Sequence, residues 1–353
     1  MVKKSIILGR EVSKEKPPYI IAEISANHNG NLRNVFKIID MARRCGTDAV
    51  KIQTYTPDTI TLNSSKKDFV IKDGLWKGRT LYQLYEWAHT PREWHAEIFA
   101  YAKEVGITLF STPFDNTAID LLEELNTPAY KIASFECIDL NLIKMVAQTK
   151  KPLIISTGMA NDAEIGEAVE IAMKFGNGEL TLLHCVSGYP SPADQYNLRT
   201  IADMRNRFGV NVGLSDHTLS NVTAISAVAL GAVIVEKHVT LDRNGGGPDD
   251  SFSLEEEGLA ELCSSTKMAW QTLGKVNYER TEAEKGNVKF RRSLYYVRSL
   301  KQGDVITEND IRSVRPGFGL SPKHYDKLIG SEVLQSVEEN TPVTIESVKL
   351  KSD

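Results

Sequence analysis

The sequence predicts an α/β fold: a (β/α)₈ TIM barrel followed by a small, mostly β domain. Three observations support this prediction. Eight short apolar, β-branched runs recur between residues 18 and 239, amphipathic segments that end at glycine lie between several of them, and the composition changes after Gly274. Continuous apolar runs separated by helices are typical of parallel strands covered on both faces. Eight such strands over roughly 250 residues are what a closed barrel needs.

The eight predicted strands share a continuous apolar centre. They are 18–25 (PYIIAEIS), 47–54 (TDAVKIQT), 107–113 (ITLFSTP), 129–134 (AYKIAS), 151–158 (KPLIISTG), 180–187 (LTLLHCVS), 211–217 (NVGLSDH) and 232–239 (AVIVEKHV). A doubly wound open sheet would show the same alternation, and the pattern alone leaves it open as the competing fold.

The predicted helices have apolar residues at helical spacing and stop at a glycine. LRNVFKIIDMARRCG (32–46) and DAEIGEAVEIAMKFG (162–176) fit this pattern, and an amphipathic stretch at 254–274 closes the last unit. An insertion at 55–99 separates the second and third strands, and its first part is loop-like. Loops of this length are usually functional, whereas the helical spacing from Thr80 onward predicts a packing helix.

The domain organisation follows from the change after Gly274. We predict a barrel domain over 1–274, a charged linker over 275–292 and a small β-rich domain over 293–353. Turn signals such as KQGD and EENTP separate the short apolar pieces of the last domain. It is too small for a large core of its own.

Composition limits the classes of function. The chain has 353 residues and a formal net charge of −4, which gives no reason to expect a nucleic-acid partner. Its four cysteines are scattered without a CxxC pair, as in proteins that keep reduced thiols. The N-terminal stretch is polar after a few apolar residues, and no apolar run approaches membrane-spanning length. We therefore expect a soluble cytoplasmic protein with no membrane partner.

Polar and charged residues lie at the ends of seven of the eight predicted strands. They are Glu23, Ser25, Asn27 and His28; Lys51 and Gln53; Lys131, Ser134 and Glu136; Ser156 and Thr157; His184 and Ser187; Ser215, Asp216 and His217; and Glu236, Lys237 and His238. In a barrel these strand ends form one rim, where the active sites of such enzymes are built. Polar groups inside strands cost free energy unless they are paired. The requirements of folding alone are therefore a poor explanation for polar residues at the ends of seven strands.

Two histidines point to a metal ion. His217 and His238 end successive strands, which lie about 4.8 Å apart in a sheet, so their imidazoles could share one divalent cation. Two protein ligands leave positions for water and substrate, as in a catalytic site. Glu23, on the strand that neighbours the last one in a closed barrel, could reach the metal or its water. Two hydrogen-bonded histidines without an ion are the alternative.

Two lysines point to an anionic ligand. Lys51 and Lys131 interrupt apolar strands, and a lysine is seldom buried unpaired. The serines at the strand ends would act as neutral donors to the same anion. An internal ion pair with Glu23 or Glu136 is the alternative. The glycine run NGGGPDD (244–250) after the last strand predicts a mobile flap, and a phosphate cradle is the weaker interpretation.

These motifs together resemble the sialic acid synthase family. The resemblance rests on IIAEISANHNG, DAVKIQTYTPDTIT, YKIASFE, IISTGMA, HCVSGYP, GLSDHT and VIVEKH, and VRPGFGLSP resembles that family's antifreeze-like (SAF, β-clip) domain. Within the family, TLNSSKKDFVIKDGLW, LYQLYEWAHTPREWH and RPGFGL look most like the pseudaminic acid synthase branch.

The resemblance implies a reaction and a set of roles. Phosphoenolpyruvate would condense with an N-acylated amino sugar, here 2,4-diacetamido-2,4,6-trideoxy-L-altrose, to give a nine-carbon 2-keto acid and phosphate. His217 and His238 would bind Mn²⁺, Mg²⁺ or Co²⁺, and Glu23 and Glu136 would be the catalytic carboxylates. Lys51, Gln53, Lys131, Ser134, Ser156, Ser187, Tyr189, Ser215, Asp216 and Asp249 would contact substrates. Arg315 would reach the sugar's acyl group from the partner subunit of a domain-swapped homodimer.

Other functions stay open from sequence. N-acetylneuraminate synthases tend to have asparagine where this chain has Ser187, which favours a sister substrate without naming it. An N-acetylneuraminate or legionaminate synthase is therefore the first alternative. A pyruvate-dependent metal aldolase would share the barrel and the histidines but release no phosphate, and a non-catalytic binding protein would not need the strand-end lysines and histidines.

Overall fold

The computed structural model describes residues 5–349 of the chain. It divides into two compact units, Met1–Gly274 and Lys275–Asp353, each with its own hydrophobic core. The outermost ends of the two predicted domains, residues 1–4 and 350–353, lie outside the described residues.

The first unit is a closed parallel barrel, as the sequence predicts. Its strands are β3 (Tyr19–Glu23), β4 (Ala49–Thr54), β5 (Thr108–Pro113), β6 (Tyr130–Ile132), β7 (Leu153–Ser156), β8 (Leu180–Cys185), β9 (Asn211–Asp216) and β10 (Ile234–His238), preceded by a hairpin of β1 (Ser5–Ile7) and β2 (Arg10–Val12). The strands pair in chain order, and β10 pairs with β3 to close the barrel. This closure excludes the open sheet.

Helices cover the outside of the barrel. They are α1 (Leu32–Cys45), α2 (Pro57–Ile60), α3 (Leu81–Ala88), α4 (His95–Val105), α5 (Asn116–Glu124), α6 (Leu140–Gln148), α7 (Asp162–Phe175), α8 (Thr200–Phe208), α9 (Val222–Ala229) and α10 (Glu256–Leu273). α1 begins where the Asn31 side chain accepts from the Arg33 amide and ends at Gly46, whose φ of 84° suits a residue without a Cβ. The predicted insertion helix is α3, capped by Thr80.

The core has two layers. Outward-facing strand residues such as Ile20, Val50 and Val235 pack against the helices, and this is the larger cluster. Inward-facing Ile21, Phe110 and Ile154 join Ile7 and Val12 of the β1–β2 hairpin in a second cluster at the amino-terminal ends of the strands. The bottom of the barrel is therefore filled by apolar side chains, which leaves the carboxyl-terminal end for polar ones.

The second unit contains a two-stranded antiparallel sheet of β11 (Ser293–Tyr296) and β12 (Ile311–Val314). Two short helices, α11 (Glu282–Lys285) and α12 (Tyr325–Leu328), also belong to it, and a small apolar cluster around Leu294 and Tyr296 forms its core. None of the helices described between residues 5 and 349 is long and apolar enough to cross a membrane. All four cysteines are free thiols.

Candidate active site

The interior of the barrel changes from apolar to charged near the carboxyl-terminal strand ends. Strand alternation turns Glu23, Lys51 and Glu236 inward, and His238 lies beside Glu23 in the β10–β3 register. Lys51 is ion-paired with Glu23 and donates to Thr112 Oγ1 at 3.0 Å. These three charged side chains are at most 5% exposed, so they form a buried electrostatic cluster.

Both predicted lysines have internal carboxylate partners, as the ion-pair alternative requires. Lys51 Nζ lies 3.9 Å from Glu236 Oε2 besides its pair with Glu23, and Lys131 Nζ lies 3.4 Å from Glu236 Oε1. The partner of Lys131 is thus Glu236 rather than Glu136. A single ion pair at 3.4 Å leaves the Lys131 ammonium with N–H groups to donate to an anion, because an ammonium has three.

The charges inside the barrel depend on one another. Burial raises the pKa of Glu23, against the pull of Lys51. Burial also opposes ionisation of Glu236, but Lys131 and Lys51 together lower its pKa. Burial lowers the pKa of Lys131, and Glu236 acts in the opposite direction. An arriving anion would stabilise its charged form.

The two histidines lie side by side at the rim, with ring centroids 5.5 Å apart. His217 Nδ1–H donates to the Val186 carbonyl at 2.9 Å. Burial alone would lower the pKa of His217, but Cys185 and this hydrogen bond raise it above the ordinary value. His238 Nδ1 is buried without a hydrogen-bond partner, and Asp249 Oδ2 lies 3.9 Å from it. Burial lowers the pKa of His238 well below its ordinary value, so its imidazole is neutral.

This donor set fits a divalent cation that keeps open positions. Imidazole nitrogens are suitable ligands for such an ion, and the orphaned His238 nitrogen would gain a partner. Among residues 5–349, three or more His, Cys, Asp or Glu residues do not converge as a ready-made metal cluster. Any ion at this pair would therefore take its remaining ligands from water or substrate.

A polar network connects Glu23 to the histidine pair. Gln53 Nε2 donates to Glu23 Oε1 and to Ser25 Oγ, both at 3.0 Å. Ser25 Oγ donates to Asp249 Oδ2 at 2.6 Å, and that oxygen is the one nearest His238. Ser25 has a φ of 48°, which is uncommon for a residue with a side chain. The network fixes Gln53 and Asp249 beside the predicted catalytic carboxylate.

Two of the predicted serines crowd a glycine, and a third lies just before it in the chain. A Cβ built on Gly158 would lie 2.2 Å from Ser187 Oγ and 2.9 Å from Ser134 Oγ, so both hydroxyls crowd this backbone. Ser156 Oγ, on the strand just before Gly158, is buried without a hydrogen-bond partner. An unsatisfied buried hydroxyl costs free energy that a ligand oxygen would recover. Ser215 differs, because its Oγ donates to Glu236 Oε1 at 3.3 Å.

Glu136 follows β6 in a short 3₁₀ turn that begins at Ser134. Burial raises its pKa to about 7, although Lys131 acts in the opposite direction. Its Oε2 is buried and lacks a hydrogen-bond partner. A carboxyl group with a pKa near neutrality can both accept and donate a proton under physiological conditions.

Aromatic side chains border the histidine pair. The Tyr189 ring lies 4.4 Å from that of His217, and Phe252 lies 5.3 Å from both Tyr189 and His238. Trp76, from the long insertion, lies 6.1 Å from Tyr189 and donates through Nε1 to Pro248 O at 3.0 Å. The insertion therefore reaches the rim of the barrel, as its length suggested.

Two predicted substrate contacts remain, one in each unit. Asp216 alternates outward from Ser215, and its Oδ2 accepts from Lys237 Nζ at 2.6 Å, so its side chain faces away from the barrel interior where the substrate contact was predicted. Strand alternation explains this direction, because neighbouring residues face opposite sides of a sheet. Arg315 follows β12 in the second unit and is exposed there, and its predicted contact stays a prediction.

Three residues were missed or misassigned from sequence. Glu236 was noted as a strand-end residue, but its inward alternation with His238 could have assigned it to the lysines. Trp76 precedes the helix predicted from Thr80 onward, and residue type alone does not distinguish an aromatic side chain at a loop tip from a packed one. The role of Gly158 has no sequence signal beyond the serines beside it, since close approach is a tertiary property.

The NeuB family profile matches residues 38–278, and a SAF domain matches residues 291–349. The chain belongs to the NeuB family. A pseudaminic acid synthase of Campylobacter jejuni (strain 81-176) is 44% identical over 92% of this chain and 94% of its own length. The N,N'-diacetyllegionaminic acid synthase of C. jejuni (strain NCTC 11168) is 34% identical over 92% of this chain and 98% of its own length.

A solved structure of a sialic acid synthetase has a similar fold. N-acetylneuraminic acid synthetase from Leptospira borgpetersenii superposes with a TM-score of 0.73 at 29% identity, and covers 82% of this chain and 96% of that one. The predicted barrel with a SAF domain and the predicted family, including its pseudaminic acid synthase branch, are thereby confirmed.

Proposed function

We propose that this chain is a pseudaminic acid synthase. It condenses phosphoenolpyruvate with 2,4-diacetamido-2,4,6-trideoxy-L-altrose to form a nine-carbon nonulosonic acid and phosphate. The observation that carries the proposal is the convergence of His217, His238, Glu23 and Lys131 in one NeuB-family barrel, with a pseudaminic acid synthase as a 44% identical relative.

His217 and His238 are the proposed ligands of a divalent cation, Mn²⁺, Mg²⁺ or Co²⁺. Such an ion acts as a Lewis acid and would make the aldehyde carbon of the open-chain sugar electrophilic. His217 is held for this role by its hydrogen bond to Val186 O, and His238 stays neutral because it is buried.

Lys131 and the serines Ser134, Ser156 and Ser187 hold phosphoenolpyruvate in this proposal. Lys131 keeps donor capacity beyond its pair with Glu236, and Ser156 Oγ lacks a partner. Ser215 and Lys51 act from the same interior, Lys51 by keeping Glu23 in place. Positioning and charge stabilisation by these groups would lower the barrier to carbon–carbon bond formation.

Glu23 is the proposed base, and Glu136 the second catalytic carboxylate. When C3 of phosphoenolpyruvate attacks the aldehyde carbon, positive charge develops at C2, and water adds there. Glu23 accepts a proton from that water, and loss of phosphate from C2 then gives the 2-keto acid. Burial raises the pKa of Glu23, which makes its carboxylate a better base than an exposed one.

The sugar binds beside Tyr189, Gln53 and Asp249. The aromatic border formed by Tyr189, Phe252 and Trp76 suits a deoxygenated, acetylated sugar better than a fully hydroxylated one, because methyl groups gain by apolar contact. The higher identity to the pseudaminic than to the legionaminic acid synthase favours the altrose-configured sugar. A legionaminate or N-acetylneuraminate synthase is the second candidate.

The second unit supplies Arg315 to the sugar's acyl group from the partner of a domain-swapped homodimer in this proposal. Its exposed position after β12 leaves the guanidinium free for such a contact. The residues Lys275 to Arg292 would act as the linker between the domains. The four free thiols favour a reducing compartment, and we propose the cytoplasm.

A sugar panel tests the proposal. The purified chain is incubated with phosphoenolpyruvate, Mn²⁺ and the altrose, the legionaminate precursor or N-acetylmannosamine, and phosphate release is followed. We expect the altrose to give the highest kcat/KM by at least about tenfold. A higher value with another sugar assigns a sister synthase, and turnover of pyruvate without phosphate release refutes the reaction class.

The proposed metal site is tested with the variant His238→Ala and with a chelator. We expect chelated wild-type enzyme to lose activity and regain it with Mn²⁺, and His238→Ala to remain inactive at the same metal concentration. Full activity of His238→Ala in chelator would contradict the assignment of the histidine pair.

A further inference from the structure

A buried ion pair lies on the outer side of the two strands that carry the histidines. Lys237 Nζ donates to Asp216 Oδ2 at 2.6 Å, and the two side chains are 2% and 0% exposed. Their strand neighbours Leu214 and Val235 belong to the cluster between strands and helices, which places this pair outside the barrel interior. Neither residue can therefore touch a substrate held inside the barrel.

The pair is directly adjacent to both proposed metal ligands. Asp216 and Lys237 are opposite each other at the last paired position of β9 and β10, and His217 and His238 are the next residues along the chain. Beyond this position the described β9–β10 ladder has no further pairing. The ion pair therefore fixes the separation of the two strands at the level where the imidazoles emerge.

Further hydrogen bonds tie the pair to the turn after His217. Asp216 Oδ1 accepts from the Thr218 amide at 2.9 Å, and Lys237 Nζ donates to Ser220 O at 2.9 Å. The chain is thus clamped on both sides of His217. The His238 ring has less support, because its buried Nδ1 has no hydrogen bond and its direction follows from the backbone that Lys237 holds.

We infer that Asp216 and Lys237 are positioning residues that set the geometry of the His217–His238 pair for a divalent cation. This inference rests on the proposed function, since it concerns the metal of that reaction. It predicts that loss of the pair weakens metal affinity, about tenfold or more as for other groups that orient metal ligands. A purely structural ion pair would change stability and leave metal affinity unchanged.

The test replaces both members of the ion pair, so that a change in metal affinity can be distinguished from a change in protein stability. Asp216→Asn alone leaves a buried lysine charge uncompensated, which lowers the thermal midpoint strongly. The double variant Asp216→Leu/Lys237→Met replaces the pair by apolar side chains of similar size, which buried ion pairs often tolerate with little loss of stability. Mn²⁺ binding is measured without substrates, by the electron paramagnetic resonance signal of the free ion, alongside the thermal midpoint of the metal-free protein.

A second, less buried ion pair of the same barrel provides the control. Arg10 and Asp48 lie 2.6 Å apart at the amino-terminal end of the barrel, where Asp48 also accepts from the Ile20 amide, as Asp216 does from Thr218. Arg10→Met/Asp48→Leu should bind Mn²⁺ like the wild type, and Asp216→Leu/Lys237→Met should bind it at least about tenfold more weakly.

Equal Mn²⁺ affinity of wild type and Asp216→Leu/Lys237→Met overturns the inference and leaves the proposed reaction intact. Equal weakening in the Arg10→Met/Asp48→Leu control also overturns it, because the effect would then follow general stability. A wild-type chain that does not bind Mn²⁺, Mg²⁺ or Co²⁺ refutes the metal role in the proposed function and the inference together.

Discussion

Replacing Gly158 by alanine is expected to weaken phosphoenolpyruvate binding without unfolding the barrel. The added Cβ would lie 2.2 Å from Ser187 Oγ and 2.9 Å from Ser134 Oγ, both shorter than real carbon contacts. The φ of Gly158 is outside the left-handed region, so alanine fits the backbone itself. The strain must therefore be relieved by moving the two serine side chains.

The size of the effect follows from what those hydroxyls donate. Ser187 must retreat by about 1 Å to reach an ordinary contact, which removes it from hydrogen-bond distance of an anion it would otherwise touch. A hydrogen bond to a charged group contributes about 1.5–3 kcal/mol. Losing one such bond corresponds to a roughly 10- to 100-fold increase in the KM for phosphoenolpyruvate.

The assay is phosphate release with phosphoenolpyruvate varied at saturating sugar, together with the thermal midpoint. Gly166→Ala in α7 is the control, because the nearest atom to its Cβ would be Phe208 Cε1 at 3.8 Å, an ordinary contact. Ser187→Ala and Gly158→Ala should combine with much less than additive effect, since both act on one hydroxyl. An unchanged KM in folded Gly158→Ala would refute the reasoning.

Three further outcomes are expected. Lys131→Met should raise the KM for phosphoenolpyruvate at least about tenfold through the loss of a charged donor, with little change in the KM for the sugar; an equal rise in both would argue for general damage. Because burial raises the pKa of Glu136 to about 7, the native state holds an extra proton between pH 4.5 and about 7, so this group's contribution to stability falls as pH rises through that window. The thermal midpoint of wild type relative to Glu136→Gln should decline over the same window, and a constant difference would show that Glu136 titrates normally. Trp76→Ala should raise the KM for the sugar more than the KM for phosphoenolpyruvate, measured in the same assay, and the opposite order would place Trp76 at the other substrate.

Much of the fold was predictable because burial of the barrel strands requires the apolar runs that the sequence shows. Strands buried on both faces must be continuously apolar, and this identified each of β3 to β10 within its predicted range. Helix ends were readable where a glycine supplied a conformation that other residues avoid, as at Gly46. The short α11 in the linker was not predicted, since a single turn has too few residues to show a period.

The site was predictable in outline because a barrel brings its strand ends together. What sequence could not supply was the direction of each side chain and its partner. Asp216 and Lys237 stand one residue from His217 and His238, yet they face the helices and neutralise each other. The pairing of Lys131 with Glu236 likewise depends on strands far apart in the chain, which residue types alone do not identify.

The hairpin at the amino-terminal end has a kinetic consequence. Ile7 and Val12 cover that end of the barrel with Tyr19, Phe110 and Val233, so among the described residues of the first unit the open end of the barrel is the rim that carries the histidine pair. Both reactants would then enter the barrel, and both products (phosphate and the keto acid) would leave it, through the same rim. An inert compound bound at that rim should therefore compete with either reactant.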